Sequence, residues 1–474
     1  MSEDKNSYRQ IIKATSLFGG VQVFTILINI IRSKVVAILL GPSGMGVVGL
    51  LQATLSLVAS STNFGLRTSA VKDIAGAAGV NDTRKIAIIV TVLRRLVWGT
   101  GLLGAIIVFV LAPLLSKLTF GNSEYTVAFM WLSITLLINQ LSSGQSVVLQ
   151  GFRKLKLLAK SSVLGSFIGL LVTLPLYYIY GVKGIVPVIV LSSFITLLLT
   201  WYFSKKVIIE KINVDITQTI KEGKQMMTLG FMLSLSGLLT VAFSYIVRIF
   251  ISNNGGIEDV GFYTAGFAVI GTYVGLVFSA MGTDFFPRLS SIAANNKKAT
   301  LLINQQAEVA ILVIAPILTV FLIFINEIIT LLYSVKFIPI NTMIYWAALG
   351  MYFKAASWAI GFILLAKGAS KLFFWSELLA NSYLLVLNIA GYSYWGLEGL
   401  GVSFLIGYVI LLFQVFFIAK YYYNFRFYNA FYKIFAIQLA LGICCFLVIR
   451  FIPKPWVYIA GLPFILSSLW YSYK

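Results

Sequence analysis

Apolar stretches of about twenty residues, the length that crosses a hydrocarbon core of about 30 Å, recur along almost the whole of this chain. Hydrophobic residues make up 59% of the 474 positions, and charged residues make up only 11%. Soluble domains carry about 25% charged residues, so a soluble fold of this size has no way to bury so much apolar surface. Because the stretches lack a period of two, we expect membrane-spanning helices rather than strands.

Fourteen candidate spans follow one another with short connections and no inserted soluble domain. The residues after 425 fit either the last two spans or one re-entrant hairpin. The spans are 11–40, 44–66, 86–112, 125–149, 160–180, 184–204, 225–252, 260–286, 300–333, 340–366, 371–394, 397–420, 431–451 and 455–471.

Basic residues divide unevenly between the two sets of loops. One set carries 25 of the 36 lysines and arginines, and the other set carries five, namely Lys117, Lys183, Lys336, Arg450 and Lys454. Cytoplasmic loops are the basic ones, so both termini are expected in the cytoplasm. The net charge of +21 is then explained by orientation and anionic lipid, and no nucleic-acid partner is expected.

Several kinds of chemistry have no residues to carry them. The chain contains no histidine, which excludes any mechanism that needs an imidazole. Cys444 and Cys445 are adjacent in an apolar segment and are interpreted as packing residues. The polar N-terminus lacks the features of a cleavable signal peptide. No catalytic residue, metal site or cofactor is predicted.

Short matches at one spacing indicate an internal duplication. The turn from Gly181 to Gly184 matches the turn from Gly396 to Gly399, 215 residues later. We therefore predict an all-α polytopic membrane protein with two pseudo-symmetric six-helix bundles. The predicted parts are a first lobe at 1–205, a cytoplasmic linker at 206–224, a second lobe at 225–424, and an additional C-terminal pair of helices at 425–474.

Polar residues form stripes along several spans at helical spacing. Packing between helices is the simpler interpretation of the serines, glycines and threonines, and a water-filled cavity is the alternative. The stripe of span 2 holds Gly49, Gln52, Ser56, Ser60, Asn63 and Arg67. The side chains predicted to line a cavity are Gln22, Asn29, Gln52, Ser56, Asn63 and Asn139.

Cations within the spans strengthen the prediction of a cavity. A charge at mid-membrane costs about 3 kcal/mol or more, and spans 1 and 7 contain no carboxylate that would offset it. Snorkelling to the headgroups remains the alternative for Lys34, Arg94 and Arg95. The predicted binding residues for an anionic substrate are Arg32, Lys34, Arg248 and Lys354. The predicted coupling carboxylates are Asp284, Glu308 and Glu377, although Glu377 also has Lys371 within local pairing distance.

Ordered motifs give the chain a family resemblance over residues 8–424. They include SKVVAILLGPSGMGVVGLLQ in spans 1 and 2, QGFRK from Gln150, DVGFYTAG at the start of span 8, FFPRLS at its end, and LLAKGASKLFFWSE between spans 10 and 11. The chain resembles the Wzx family of lipid-linked oligosaccharide flippases, whose superfamily includes multidrug extrusion (MATE) transporters and the peptidoglycan lipid flippase.

The resemblance implies a V-shaped, cation-lined cavity between two MATE-like lobes. It implies that an undecaprenyl-diphosphate-linked oligosaccharide, such as an O-antigen unit, moves to the periplasmic leaflet of the bacterial inner membrane. Lys34 or Arg32, together with Arg248 and Lys354, would hold the diphosphate. The protein is expected to act as a monomer among membrane lipids, with a polysaccharide polymerase and a chain-length regulator as candidate partners.

Two other functions stay open at this point. A cation-coupled drug exporter of the same fold would use acidic residues in its lobes, and span 1 has none. A membrane glycosyltransferase or polymerase would need sizeable, acidic outer loops, whereas the outer loops here are short. The sequence names neither the sugar nor the driving force.

The orientation predicts which loops face the cytoplasm. Single cysteines placed at Lys156, Lys211 and Lys297 in a variant that lacks Cys444 and Cys445 should resist a membrane-impermeant maleimide in intact cells, because the basic loops lie inside. A cysteine at Lys117 should react and serves as the positive control. Labelling of the first three positions from outside would overturn the orientation.

Overall fold

A computed structural model describes residues 24–80, 82–210 and 212–474, apart from the side chains of Tyr273 and Thr283. All regular secondary structure in these residues is helical. The α-helices are α1 (24–39), α2 (Gly41–Thr62), α3 (Leu66–Gly79), α4 (Thr83–Val110), α5 (Ala112–Phe120), α6 (Thr126–Gly151), α7 (Leu155–Tyr180), α8 (Ile185–Ser204), α9 (Ile216–Gly255), α10 (Ile257–Ala268), α11 (Leu276–Ile292), α12 (Asn296–Ile323), α13 (Ile325–Leu332), α14 (Asn341–Ala366), α15 (Ser370–Tyr423), α16 (Asn429–Phe451) and α17 (Trp456–Tyr473).

Ten helical segments in the described part of the chain are long and apolar enough to cross a membrane. Two of them, Leu155–Ser204 and Ser370–Tyr423, each contain two of the predicted spans, because the helix bends at a glycine without a polar loop. The first predicted span lies partly outside the described residues. The all-α architecture is as predicted, and the count of fourteen spans stays a prediction.

Residues with positive φ recur at one spacing along the chain. Gly181 (φ 53°, ψ −132°) and Gly396 (φ 55°, ψ −135°) adopt almost the same backbone conformation at the bends of the two long segments. Three such pairs are each 215 residues apart: Gly41 with Gly256, Arg153 with Gly368, and Gly181 with Gly396. This repetition of backbone geometry supports the duplication predicted from the sequence.

The chain divides into two compact units, up to Asn253 and from Asn254 onward. Helix α9 therefore falls with the first unit, whereas the sequence placed the lobe boundary within 206–224; the predicted lobes stay a prediction. Part of the predicted linker is helical, because the Asp215 carboxylate accepts a hydrogen bond from the Thr217 N–H at 3.2 Å and so caps the start of α9. The N–H groups of Ile216 and Thr217 hold the pKa of Asp215 below its usual value.

Helix α3 is short and packs its apolar face on the first unit. Its buried residues Ala70, Ile74 and Ala77 join a cluster with side chains of α4 and α6. Gly151 lets α6 approach closely, since a Cβ there would lie 2.5 Å from Ile74 Cγ2. This packing fixes the first turn of α3, which carries Arg67.

The close approach at the second bend predicts a strong effect of one methyl group. A Cβ at Gly399 would lie 1.8 Å from the Gly391 carbonyl oxygen, so Gly399→Ala should destabilise the protein by about 2 kcal/mol through overpacking. Gly361→Ala is the matched control, because a Cβ there meets nothing within 4 Å. Thermal unfolding of the detergent-purified variants is the measurement, and equal midpoints would contradict the packing described.

Candidate functional site

A polar cavity of about 490 Å³ lies within the first unit among α2, α3, α4, α6 and α9. Amide and hydroxyl side chains dominate its polar lining. Arg67 is charged, and no carboxylate occurs among the described residues that line the cavity. The polar side chains in the lining are Ser60, Thr62, Asn63, Arg67, Thr68, Thr100, Asn139, Gln140, Ser143 and Ser234. We call this the polar pocket.

The end of α2 explains why polar groups collect here. The helix ends at Thr62, and the Asn63 side-chain oxygen accepts a hydrogen bond from the Gly65 N–H at 2.8 Å. Phe64 (φ 47°) and Gly65 (φ 62°) then turn the chain into α3. The turn places both Asn63 and Arg67 at the pocket, so that the polar stripe continues from α2 into α3.

Helix α9 contacts the rest of the first unit on both sides of the polar pocket. A Cβ at Gly65 would lie 2.0 Å from the Gly230 carbonyl oxygen, so the two backbones touch. Further along α9, the Tyr245 hydroxyl lies 2.6 Å from the Thr119 hydroxyl, which in turn lies 3.4 Å from Thr54 Oγ1. The pocket lining contributed by α9 lies between these contacts, from Leu233 to Val241.

The structure brings together part of the predicted cavity lining. Asn63 and Asn139 both line the polar pocket. Gln52 and Ser56 are exposed on α2 and are not among the pocket residues, Asn29 is exposed on α1, and Gln22 lies outside the described residues. The sequence analysis missed Thr100 and Gln140, which are linked by a hydrogen bond of 2.9 Å from Gln140 Nε2. Neither residue belongs to an extended polar stripe on its own helix, so the sequence pattern gave no signal for them.

Two predicted cations lie on α1, and both are half-buried. Arg32 lies near the hydroxyl of Tyr177 of α7, a residue that is only 2% exposed. Lys34 also takes part in an interaction within the protein. Neither residue lines the polar pocket. The role assigned to these two cations in binding the substrate stays a prediction.

The third predicted cation, Arg248, lies in the last third of α9. Its guanidinium donates to the Ser244 carbonyl oxygen at 3.2 Å and to the Ser244 hydroxyl, one turn earlier. Both residues belong to the stripe predicted for span 7. Their bond within the helix holds the guanidinium close to the helix surface.

Lys354 lies on α14 in the second unit, among aromatic rings. Its ammonium group is 5.3 Å from the ring centre of Tyr408, 5.7 Å from that of Phe404 and 6.0 Å from that of Phe278. Aromatic faces attract a cation at such distances. The rings therefore offset part of the cost of placing this charge among apolar helices.

The three predicted coupling carboxylates differ in their surroundings. Asp284 forms an ion pair of 3.1 Å with Arg288, and both side chains are more than 60% exposed. Glu308 on α12 and Glu377 on α15 are half-buried. No ion pair found among the described residues involves Glu377, so local pairing with Lys371 does not explain it. A coupling role for these residues stays a prediction.

Residues 35–342 match the family described as "Polysaccharide biosynthesis protein". This match covers more than half of the chain. The chain belongs to that family. A Shigella flexneri relative named "Putative O-antigen transporter" is 24% identical over 204 residues, which are 43% of this chain and 48% of the relative. The chain thus spans about half the length of that relative.

Solved structures of transporters share the fold of this member of the polysaccharide biosynthesis family. An inward-facing multidrug resistance MATE transporter of the MOP superfamily matches with a TM-score of 0.70 and 15% identity, over 88% of this chain and 99% of its own. The lipid II flippase MurJ in an inward closed conformation matches with 0.66 and 16%, over 96% and 98%. A MOP superfamily transporter from Pyrococcus furiosus matches with 0.60 and 14%, over 87% and 96%.

These matches confirm the predicted family resemblance and the MATE-like, all-helical fold of a multi-pass membrane protein. The family and its relatives point to a transporter rather than to an enzyme. They test neither the predicted binding residues nor the orientation of the termini.

The C-terminal helices α16 and α17 of this family member pack on the other helices of the second unit. Glu398 accepts a hydrogen bond from the Trp346 indole at 2.9 Å and lies 3.9 Å from Arg450 of α16. Glu327 contacts Lys454 at 3.6 Å and also Tyr458 of α17. Within the pair, Gln438 of α16 bonds to Ser468 and Ser472 of α17. These polar contacts fix where the added pair attaches.

Arg95 has a role that snorkelling does not describe. Its guanidinium donates to the Val214 carbonyl oxygen at 2.9 Å and to the Thr219 hydroxyl at 2.5 Å. The residue thereby ties the inner part of α4 to the start of α9. Since α9 forms one wall of the polar pocket, Arg95 helps to position that wall.

We expect loss of this tie to loosen the start of α9. In Arg95→Ala, the amides of residues 214–219 should exchange hydrogen about tenfold faster, because bonds from a charged donor are removed. Arg94→Ala removes the same charge from the neighbouring position and is the matched control. Unchanged exchange in Arg95→Ala would show that this contact does not hold the helix.

Proposed function

We propose that this protein is a flippase for an undecaprenyl-diphosphate-linked oligosaccharide, such as an O-antigen unit. The substrate moves from the cytoplasmic to the periplasmic leaflet of the bacterial inner membrane by alternating access. Membership of the polysaccharide biosynthesis family and the name of the Shigella relative support this proposal. Both termini lie in the cytoplasm, as the distribution of basic residues favours.

The chemistry of the polar pocket carries the proposal. Hydroxyl and amide groups both donate and accept hydrogen bonds, which suits the many hydroxyls of a sugar. The guanidinium of Arg67 offers a paired donor geometry that matches phosphate. A pocket that is lined by amides and hydroxyls and includes one exposed arginine therefore fits a sugar phosphate better than an apolar or cationic cargo.

The cations named by the family resemblance complete the proposed path. Arg32 or Lys34, Arg248 and Lys354 would contact the diphosphate at successive stages of transport. A membrane potential that is negative inside favours outward movement of negative charge by about 2.3 kcal/mol per charge per 100 mV. Coupling through Asp284, Glu308 or Glu377 is therefore not required on energetic grounds.

A drug exporter of the same fold is the main alternative. Cationic cargo would need a carboxylate at the site, and the described residues that line the polar pocket include none. The half-buried Glu308 and Glu377 lie in the second unit. Growth protection against cationic dyes, without any effect on surface polysaccharide, would favour the exporter.

Charge reversal at the pocket tests the proposal. Arg67→Glu should lower the surface polysaccharide restored in a flippase-null strain by about tenfold or more, because a carboxylate repels phosphate. Arg67→Lys should keep part of the activity, since the positive charge remains and the paired donors do not.

Arg84→Glu is the matched control, because it makes the same change in charge at an exposed residue of α4 outside the pocket. Membrane levels of each variant are measured alongside. Full activity of Arg67→Glu at a normal level would sink the proposed role of the polar pocket.

A further inference from the structure

The turn between α2 and α3 inserts against α9 as a narrow wedge, which we define as residues Asn63, Phe64 and Gly65. Phe64 adopts a positive φ of 47°, a conformation that is unfavourable for a bulky side chain and that often marks a functional site. The wedge reaches the backbone of α9, since a Cβ at Gly230 would lie 2.4 Å from the Phe64 carbonyl oxygen. No side chain fits at this contact.

A second cavity, of about 640 Å³, adjoins the wedge. Its lining is almost entirely apolar and comes from the wedge, α4 and the first turns of α9. Among its residues are Phe64, Leu96, Met227, Phe231 and Met232, and Lys224 contributes a cation. We call this the apolar pocket.

The wedge belongs to both pockets but offers each a different side chain. Asn63 and Gly65 line the polar pocket, whereas Phe64 lines the apolar pocket. The Phe64 ring lies 6.4 Å from the Phe231 ring across the contact with α9. On α9 the residues from Thr219 to Met232 serve the apolar pocket, and those from Leu233 onward serve the polar pocket.

An amphipathic ligand with a sugar at one end and a hydrocarbon at the other matches this division. Methionine and aromatic side chains adapt to an irregular apolar chain, and a branched isoprenoid is such a chain. The Arg67 guanidinium, which lies two residues after the wedge in the lining of the polar pocket, complements a phosphate placed between the two ends. An ordinary phospholipid would occupy the apolar pocket but would bring no sugar to hydrogen-bond with the amides and hydroxyls of the polar pocket.

We propose that the apolar pocket binds the isoprene units next to the phosphate of a polyprenyl phosphate carrier, while the wedge keeps the sugar in the polar pocket. This inference rests on the proposed function, because it names where one part of that substrate binds. In this binding mode the head group of the substrate lies inside the protein during transport, and the first part of its tail lies beside α9. Phe64 is then a specificity-determining residue for the carrier.

Photolabelling of the purified protein in nanodiscs tests the inference without any sugar. The probe is undecaprenyl phosphate that carries a diazirine on an isoprene unit near the phosphate. Cross-links located by mass spectrometry are expected at Phe64 and within residues 219–232. Thr228→Trp, which fills the apolar pocket, should lower this labelling by about tenfold, because the tryptophan takes the place of one apolar group of the probe and that group loses its contact with the protein.

Ile246→Trp is the matched control, because it adds the same bulk at an exposed position of α9 outside both pockets. This variant should label like the original protein. Thermal unfolding of both tryptophan variants checks that they are folded. Labelling of a further variant, Phe64→Leu, tests the apolar pocket without filling it. Phe64→Leu should also label less, because the aromatic face is lost.

Three results would overturn the inference. They are cross-links that lie elsewhere, equal labelling of Thr228→Trp and Ile246→Trp, and complete displacement of the probe by an equal amount of phosphatidylglycerol. Polysaccharide restored in the flippase-null strain is followed separately. Normal restoration without labelling of the apolar pocket rejects only the pocket, whereas labelling without restoration rejects only the proposed function.

Discussion

The requirement that every peptide group find a hydrogen-bond partner within hydrocarbon governs this structure. Helices meet it internally, so the chain departs from a helix only where local groups replace the missing bonds. At the end of α2, the Asn63 N–H still reaches the Ala59 carbonyl oxygen at 2.9 Å, and the Asn63 side chain receives the Gly65 N–H. The polar pocket therefore forms beside the place where α2 is interrupted. The same interruption produces the wedge, which separates polar from apolar surroundings over three residues.

Hydroxyl groups in the spans mostly satisfy themselves on their own helix. Thr100 donates to the Leu96 carbonyl oxygen at 2.8 Å and still accepts a bond from Gln140. Thr54 donates to the Leu50 carbonyl oxygen and is fully buried. A buried hydroxyl such as that of Thr54 contributes to helix packing, whereas an exposed amide such as that of Asn139 remains available to a ligand. Composition alone does not separate these two groups, because both consist of small polar side chains.

Much of the fold was predictable from the sequence, because the length and apolar character of a span are local properties. The polar stripe from Ser60 to Arg67 was also predictable from its helical spacing, although α2 ends at Thr62 and the stripe crosses into α3. Thr100 and Gln140 were not, because their bond joins two helices whose relative rotation is a tertiary property. The extension of α9 back to Ile216 depends on the Asp215 cap and on Arg95, which the polar composition of that segment conceals. The position of Arg32 near Tyr177 depends on how α1 packs against α7, which the sequence does not give.

The carboxylate at position 398 has a consequence for where the C-terminal helices attach. At the corresponding position of the first half, 215 residues earlier, the chain carries Lys183, which is exposed. Arg450 of the appended helices lies near Glu398 and would be repelled by a lysine. A partly exposed pair adds little to stability, but the sign of a single charge is enough to discriminate between two otherwise similar surfaces. The charge at this turn therefore favours attachment of α16 beside Glu398 and disfavours it beside Lys183.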